Sequence, residues 1–302
     1  MKSIRTILFT LSLLLITTAG IPYGHVTASS APASGKVYQI GTDVTFAPFE
    51  FQDASGEFVG IDMDLLAAIA EDQNFRYEIK PMGFNAAVQA LEANQVDGVI
   101  AGMSITEERK QKFDFSDPYF QSGVVMAIRE NDDSIQGYED LRGKRVAVKT
   151  GTEGYSFAES IADEHGFTIV PFDDSDQMYN DVRTGNSVAC FDDYPVLAYG
   201  VQQNNGLQIV TDMEAGGEYG FAVGKDRNQE LLEMFNTGLT NLRASGKYQE
   251  IIDVYLGENA SVGPANQSRW ELIVESSPRS CRDLVRPLCI HSFPWSLPLS
   301  SG

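Results

Sequence analysis

Short strand-like segments and longer helix-like segments alternate along the chain, and they do so in two successive sets. In the first set, 37–42 reads as a strand. Residues 61–72 carry Ile61, Leu65, Ala68 and Ile69 at a helical period. Residues 76–81 alternate like a strand, 85–94 place Ala87, Val88 and Leu91 on one helical stripe, and 99–101 form a short buried strand. A further helix is expected over 106–112, with Thr106 as N-cap and acids in its first turn. In the second set, strands are expected at 145–150, 168–172 and 187–191, and helices at 154–164, 175–184 and 194–203. Ser175 is the expected cap of the second of these helices, and Pro195 sits in the first turn of the third. Strands at 207–210 and 219–223 and helices at 229–244 and 248–255 complete the series. Such alternation predicts open, parallel α/β sheets, and two sets predict two lobes. Ligands of open α/β sheets bind outside the carboxyl ends of the strands. Asp43, Ser104, Lys149, Asp192 and Asp193 all fall there.

The two ends of the 302-residue chain differ from this body. Lys2 and Arg5, the apolar run 7–16 and the small residues Val26-Thr27-Ala28 read as an export signal over 1–28, too short to span a bilayer comfortably. A buried N-terminal helix is the alternative. No cysteine follows the run, so no lipoprotein anchor is expected. Residues 29–36, rich in Ser, Ala, Pro and Gly, read as a flexible leader, and 258–302 as a linker and a disordered tail. Of the three cysteines, Cys190 lies in an apolar stretch and reads as packing, while Cys281 and Cys289 lie in the tail. The net charge of −20 repels nucleic acid and disfavours a polyphosphate ligand, but leaves a zwitterion of near-zero net charge open.

Four segments carry polar groups to the expected cleft. In the first, Asp43 leaves a strand and is followed by Phe46, Pro48 and Phe49, giving one anionic group beside an apolar wall, or else a solvated turn over core phenylalanines. In the second, Gly102 admits close backbone approach, Ser104 offers a hydroxyl, and Arg109 presents a planar clamp for a carboxylate, or else a surface charge on a capped helix. In the third, a buried strand delivers Lys149 to a Gly-containing turn before a helix, or else Lys149 is a solvated strand-end charge; the spacing of a phosphate loop is missing. In the fourth, Asp192 and Asp193 stand between a strand and a helix, where either is an N-cap or a counter-ion for an ammonium group.

Catalytic chemistry is poorly supplied. His25, His165 and His291 have no Ser, Cys or acid at useful spacing, and no zinc pattern or nucleophile elbow occurs in the body. No metal, cofactor or catalytic residue is expected, although aspartates retain the capacity for acid–base work.

In this order and spacing the segments resemble the polar amino-acid-binding proteins of bacterial ABC importers, the family 3 solute-binding proteins. The likeness runs over 37–257. It rests on Gly41-Thr42-Asp43 with Pro48-Phe49-Glu50-Phe51, on the run from Ala101-Gly102-Met103-Ser104 to Arg109, and on Phe113-Asp114-Phe115-Ser116-Asp117-Pro118-Tyr119. It implies an α/β, two-lobed periplasmic-binding-protein fold of the clamshell type (type II) with a two-strand hinge. The lobes would be 37–118 with 220–257, and 124–214, with crossings near 119–123 and 215–219.

By the same resemblance, Arg109 would grip the ligand α-carboxylate, helped by Ser104 and the amides near Thr152. Asp193, with its neighbour Asp192 and the carbonyl of Gly102, would take the α-ammonium. Phe46 and Phe84 would sandwich the aliphatic part. Asp43 and Lys149 would meet the side-chain end as in glutamine-binding members, a donor–acceptor pair suited to a carboxamide. Some glutamine binders have His where Asp192 stands, and Glu153 occupies a position that is often Gly, Thr or Ser, so asparagine stays open. The implied protein is an extracytoplasmic, monomeric receptor that delivers glutamine to an ABC permease. Some relatives are fused to that permease, and 268–277 resemble a permease start. Two rivals share the scaffold: an amino-acid-sensing receptor domain, which no kinase or cyclase segment accompanies here, and an enzyme like cyclohexadienyl dehydratase.

Overall fold

The computed structural model describes residues 35–214 and 217–257. The expected signal peptide, most of the leader, the tail with Cys281 and Cys289, and the permease-like segment 268–277 lie outside the described residues.

Two five-stranded sheets form the body. The first has the order Arg76–Pro81, Val37–Thr42, Gly98–Val99, Ala222–Gly224, Phe113–Phe115. The second has the order Thr168–Phe172, Arg145–Lys149, Ala189–Asp193, Val124–Arg129, Leu207–Ile209. In each sheet the three strands joined by helical crossovers are parallel. The strands that arrive from the other sheet, Ala222–Gly224 and Val124–Arg129, pair antiparallel with their neighbours. The sheets are therefore mixed rather than purely parallel. The physical reason is that a crossover helix is what forces parallel pairing, and these strands enter without one.

Among the described residues seven α-helices cover the sheets: α1 (Ile61–Gln73), α2 (Phe84–Glu92), α3 (Glu153–His165), α4 (Ser175–Arg183), α5 (Tyr194–Gln202), α6 (Gln229–Ser245) and α7 (Lys247–Leu256). On one face of the first sheet, α1, α6 and α7 enclose a core that includes Ile40, Leu65, Leu239 and Ile252. Phe221 and Phe235 stack there with ring centres 4.5 Å apart. Helices α1 and α6 approach so closely that a Cβ on Gly238 would lie 2.7 Å from Ile69 Cγ2. Helix α2 seals the opposite face over Val99, Phe113 and Ala222.

In the second sheet the period of two is visible in one strand. Val124, Met126 and Ile128 pack under α3, while Val125 and Ala127 pack under α4 and α5 with Cys190. Cys190 is a buried free thiol, in keeping with packing.

The chain passes between the sheets along a two-stranded ribbon, with Gln121 opposite Glu218 and Phe120 opposite Tyr219. Phe49 meets this ribbon edge-on, 4.8 Å from Phe120 and 5.1 Å from Tyr219. The fold is thus the mixed α/β, two-lobed periplasmic-binding-protein architecture.

Two local expectations need correction. Instead of a helix over 106–112 there is a single turn, Arg109–Gln111, because the chain must enter strand Phe113–Phe115 at once. Helix α4 is capped by Asp174, not Ser175: the Asp174 carboxylate accepts from the Gln177 N–H at 2.8 Å. Ser175 is buried and turned inward.

Candidate functional site

The cleft is built from strand ends. Strand Val37–Thr42 runs between two neighbours and ends at Asp43, whose side chain is 1% exposed. Asp43 Oδ1 accepts from the Val44 N–H at 2.7 Å, and Oδ2 faces the ammonium of Lys149. Lys149 closes the strand Arg145–Lys149 in the other sheet, so this fully buried ion pair joins the two lobes. Lys149 also donates to Ser175 Oγ at 3.1 Å and lies 5.3 Å from the centre of the Phe46 ring. Beside it the Ser175 N–H donates to Thr45 Oγ1 at 3.1 Å, a second contact between lobes.

Gly102 follows strand Gly98–Val99 with φ of 51°, a left-handed conformation, and a Cβ there would stand 2.3 Å from Phe46 Cε1. Both the backbone angle and the phenylalanine therefore require glycine. Its N–H is held by Asp62 Oδ2 at 2.8 Å. Arg109, on the single turn, donates to the Ser104 carbonyl at 2.7 Å within its own lobe and to the Gly151 carbonyl at 3.0 Å in the other. Glu153 lies 3.5 Å from the same guanidinium, and Phe84 lies beneath it at 5.4 Å. Burial lowers the Arg109 pKa, while Glu153 and Asp193 oppose that shift.

Thr152 caps α3. Its hydroxyl accepts from the Tyr155 N–H at 3.3 Å and donates to the Lys149 carbonyl at 2.8 Å. The first turn of α3 thereby faces the cleft.

Asp192 and Asp193 separate into different roles. Neither caps α5: Asp193 occupies the N-cap position without a side-chain cap bond. Asp193 is 6% exposed and accepts from the Tyr219 hydroxyl, which lies 2.9 Å from Ser122 Oγ. Burial, reinforced by repulsion from Asp192, raises the Asp193 pKa to about 7. Asp192 turns away, a correction to its expected place beside the ammonium. Its carboxylate accepts from the Tyr179 hydroxyl at 2.6 Å and from the Asp193 N–H at 2.8 Å. It acts on the cleft only as a neighbouring negative charge.

Asp43, Phe46, Phe84, Gly102, Ser104, Arg109, Lys149, Thr152 and Asp193 line one common pocket, joined by Ala101 and Glu153. Two cations and three anions border it. Arg109 stands in one lobe and Asp193 in the other, as a bridging zwitterion requires.

Sequence reasoning missed Tyr219, the donor to Asp193. It also missed Asp62, the holder of Gly102. Tyr219 reads locally as a strand residue and Asp62 as an ordinary acid in a helix's first turn. Among the described residues no group of three or more His, Cys, Asp or Glu side chains is placed to hold a metal ion.

A family model described as "Bacterial extracellular solute-binding proteins, family 3" matches residues 38–258. A probable histidine-binding protein of Neisseria gonorrhoeae is 31% identical over 239 residues, covering 78% of this chain and 88% of that protein. Among solved structures, an ancestral arginine-binding protein bound to glutamine is 40% identical, with a TM-score of 0.68 over 74% of this chain and 98% of the other. Substrate-binding domain 2 of Lactococcus lactis GlnP, solved in an open conformation, is 44% identical, with a TM-score of 0.54 over 76% of this chain and all of that domain (100%). The more similar sequence superimposes less well, as expected if the lobes here are closed and those of the GlnP domain are apart. The cross-lobe bonds of Lys149, Arg109 and Ser175 describe the same closed state.

Proposed function

The chain belongs to the bacterial extracellular solute-binding proteins of family 3, amino-acid-binding components of ABC importers, and we propose that its own ligand is glutamine, captured outside the cytoplasm by closure of the two lobes. The observation that carries this reading is the buried Asp43–Lys149 pair at one end of the cleft. A carboxamide offers its NH₂ to the Asp43 carboxylate and its carbonyl oxygen to the Lys149 ammonium. A guanidinium or a second ammonium would be forced against Lys149, and a second carboxylate against Asp43. Glu153, on the cavity wall, adds to the rejection of acidic ligands. Charge bookkeeping therefore separates this site from one built for arginine or histidine, while the ancestral relative bound to glutamine shows that a neighbouring scaffold admits a carboxamide.

At the other end the guanidinium of Arg109 meets the α-carboxylate, with the Ser104 hydroxyl and the first amides of α3 beside it. Asp193 and the Gly102 carbonyl take the α-ammonium. Phe46 and Phe84 flank the aliphatic part and exclude water, which strengthens each charge interaction. A ligand bridging Arg109 and Asp193 contacts both lobes only when they are together. Its affinity difference between the two states drives closure about the Phe120–Gln121 and Glu218–Tyr219 ribbon. The lobes that move are 37–118 with 220–257, and 124–214, and the closed form docks on the permease as a monomer. Calorimetry against the twenty amino acids tests the assignment: glutamine is expected to bind tightest, and arginine or lysine binding tightest would overturn it.

A further inference from the structure

Behind the cleft lies a pair of carboxyl groups that do not line it. Glu50, in strand Glu50–Gln52, and Asp62, in the first turn of α1, are both 0% exposed. They are brought together because the first N–H groups of α1 donate to this loop: Ile61 to the Pro48 carbonyl and Asp62 to the Phe49 carbonyl, each at 2.9 Å. Asp62 Oδ2 accepts two bonds, from the Gly102 N–H and from the Tyr119 hydroxyl, both at 2.8 Å. If both acids were ionised, neither would have a proton to give the other. Glu50 Oε1 and Oε2 and Asp62 Oδ1 would then all be buried without a partner. Such an arrangement costs several kcal/mol per ion, and proteins avoid it.

We propose that Glu50 is a carboxylic acid that donates its proton to Asp62 Oδ1, and that this acid–carboxylate pair is a positioning device that pins Gly102 and so aims its carbonyl at the ligand ammonium. The division of charge follows from the surroundings. Asp62 sits at the positive end of α1 and already receives two hydrogen bonds, so it keeps the negative charge. Glu50 faces Asp62 and Asp43, both negative, and the cation near it, Lys149, is committed to Asp43. Burial and these two acids raise the Glu50 pKa well above its ordinary value, while the donors facing Asp62 hold its own rise to about 6. The pair titrates as a unit holding one proton. Gly102 needs such an anchor because it has no side chain of its own to lock a left-handed backbone. With the Asp62 carboxylate paired to a neutral acid rather than isolated, its bond to Gly102 is held at neutral pH.

This inference rests on the proposed role of the Gly102 carbonyl, but its test does not depend on which amino acid binds. The full-length protein, carrying ¹³C-labelled glutamate, is titrated by NMR over about pH 5–9. One glutamate carboxyl is expected to hold its acid form into the range where the exposed glutamates are all ionised, and that signal should be missing from Glu50→Gln. The Gln side chain supplies an equivalent N–H donor. The Gly102 amide proton should therefore keep its shift in Glu50→Gln and move upfield in Glu50→Leu, which leaves Asp62 unpaired. Affinity for glutamine should stay within about threefold in Glu50→Gln and fall about tenfold or more in Glu50→Leu. Should Glu50→Leu fail to fold, the wild-type and Glu50→Gln spectra decide alone. A spectrum with no acid-form glutamate, or a Gly102 amide displaced in Glu50→Gln, would overturn the pair even if glutamine binds as expected. Conversely, a persistent acid resonance would uphold it even if another amino acid proved to be the ligand.

Discussion

Closing the cleft without a ligand should bind a proton, and Asp193 is where it goes. In the closed form Asp193 is 6% exposed, beside Asp192 and under the Tyr219 hydroxyl. Burial and the neighbouring carboxylate raise its pKa from the ordinary 3.8 to about 7. In an opened cleft the carboxyl meets water and titrates near its ordinary value. The raised pKa belongs to the closed state, so closure is unhindered below the ordinary value and becomes steadily less favourable as pH climbs toward about 7. The full span is about three units, or ~4 kcal/mol against empty closure above the upper limit. Between about pH 5 and 7 the closed-to-open ratio of the unliganded protein should therefore fall about fiftyfold. Fluorescence transfer between dyes on exposed residues of the two lobes reads this ratio directly. In Asp193→Asn the slope should vanish and the empty protein should stay more closed at neutral pH. A flat wild-type profile, or a slope that survives in Asp193→Asn, would refute the reasoning. In the proposed binding mode the ligand's ammonium would reverse the effect by pairing with the ionised carboxylate, so such a device would disfavour empty closed protein at neutral pH and leave the liganded form untouched.

Three further outcomes follow from the same geometry. Lys149→Met leaves Asp43 alone at the side-chain end, so selectivity should move toward arginine and lysine; Asp43→Asn leaves Lys149 alone and should move it toward glutamate, both measured as Kd ratios by calorimetry. Arg109→Ala removes the carboxylate clamp along with its bonds to Ser104 and Gly151, and should weaken glutamine binding by about 100-fold or more, ~3 kcal/mol, in the same assay. Gly102→Ala forces a side chain into a left-handed backbone 2.3 Å from Phe46, and is expected to lower stability by about 1–3 kcal/mol in urea unfolding and to weaken binding with it.

Much of the body was legible because its signals are local. Strands Val37–Thr42, Arg76–Pro81 and Thr168–Phe172 lie where alternation puts them, and α1, α3 and α6 end within a residue or two of where their periodicity stops. The strands without a periodic signature left no local signal, and the hinge ribbon was expected only from the family resemblance. The apolar run Val124–Arg129 is buried on both faces, so it does not alternate, and the ribbon strands Phe120–Gln121 and Glu218–Tyr219 are two residues each. The expected helix after Thr106 shrank to one turn because strand Phe113–Phe115 begins immediately afterwards. No local propensity reports what the chain must do next.

Asp43, Gly102, Lys149 and Asp193 could be picked from the sequence because each stands at or just past the end of a strand, where an open α/β sheet exposes its groups, and Arg109 because its planar guanidinium suits a carboxylate. What sequence alone could not decide is which of two adjacent acids faces the cleft. Asp192 and Asp193 are chemically identical, and strand pleat sends one toward Tyr179 and the other toward Tyr219. Nor could it show that Lys149 meets Asp43 across 106 residues, or that Tyr219 reaches Asp193 from the far side of the ribbon. Periodicity is a property of neighbours along the chain and is written there in full. The pairing of charges across a cleft depends on how two separately folded lobes come to rest against each other, and only the assembled tertiary structure holds that information.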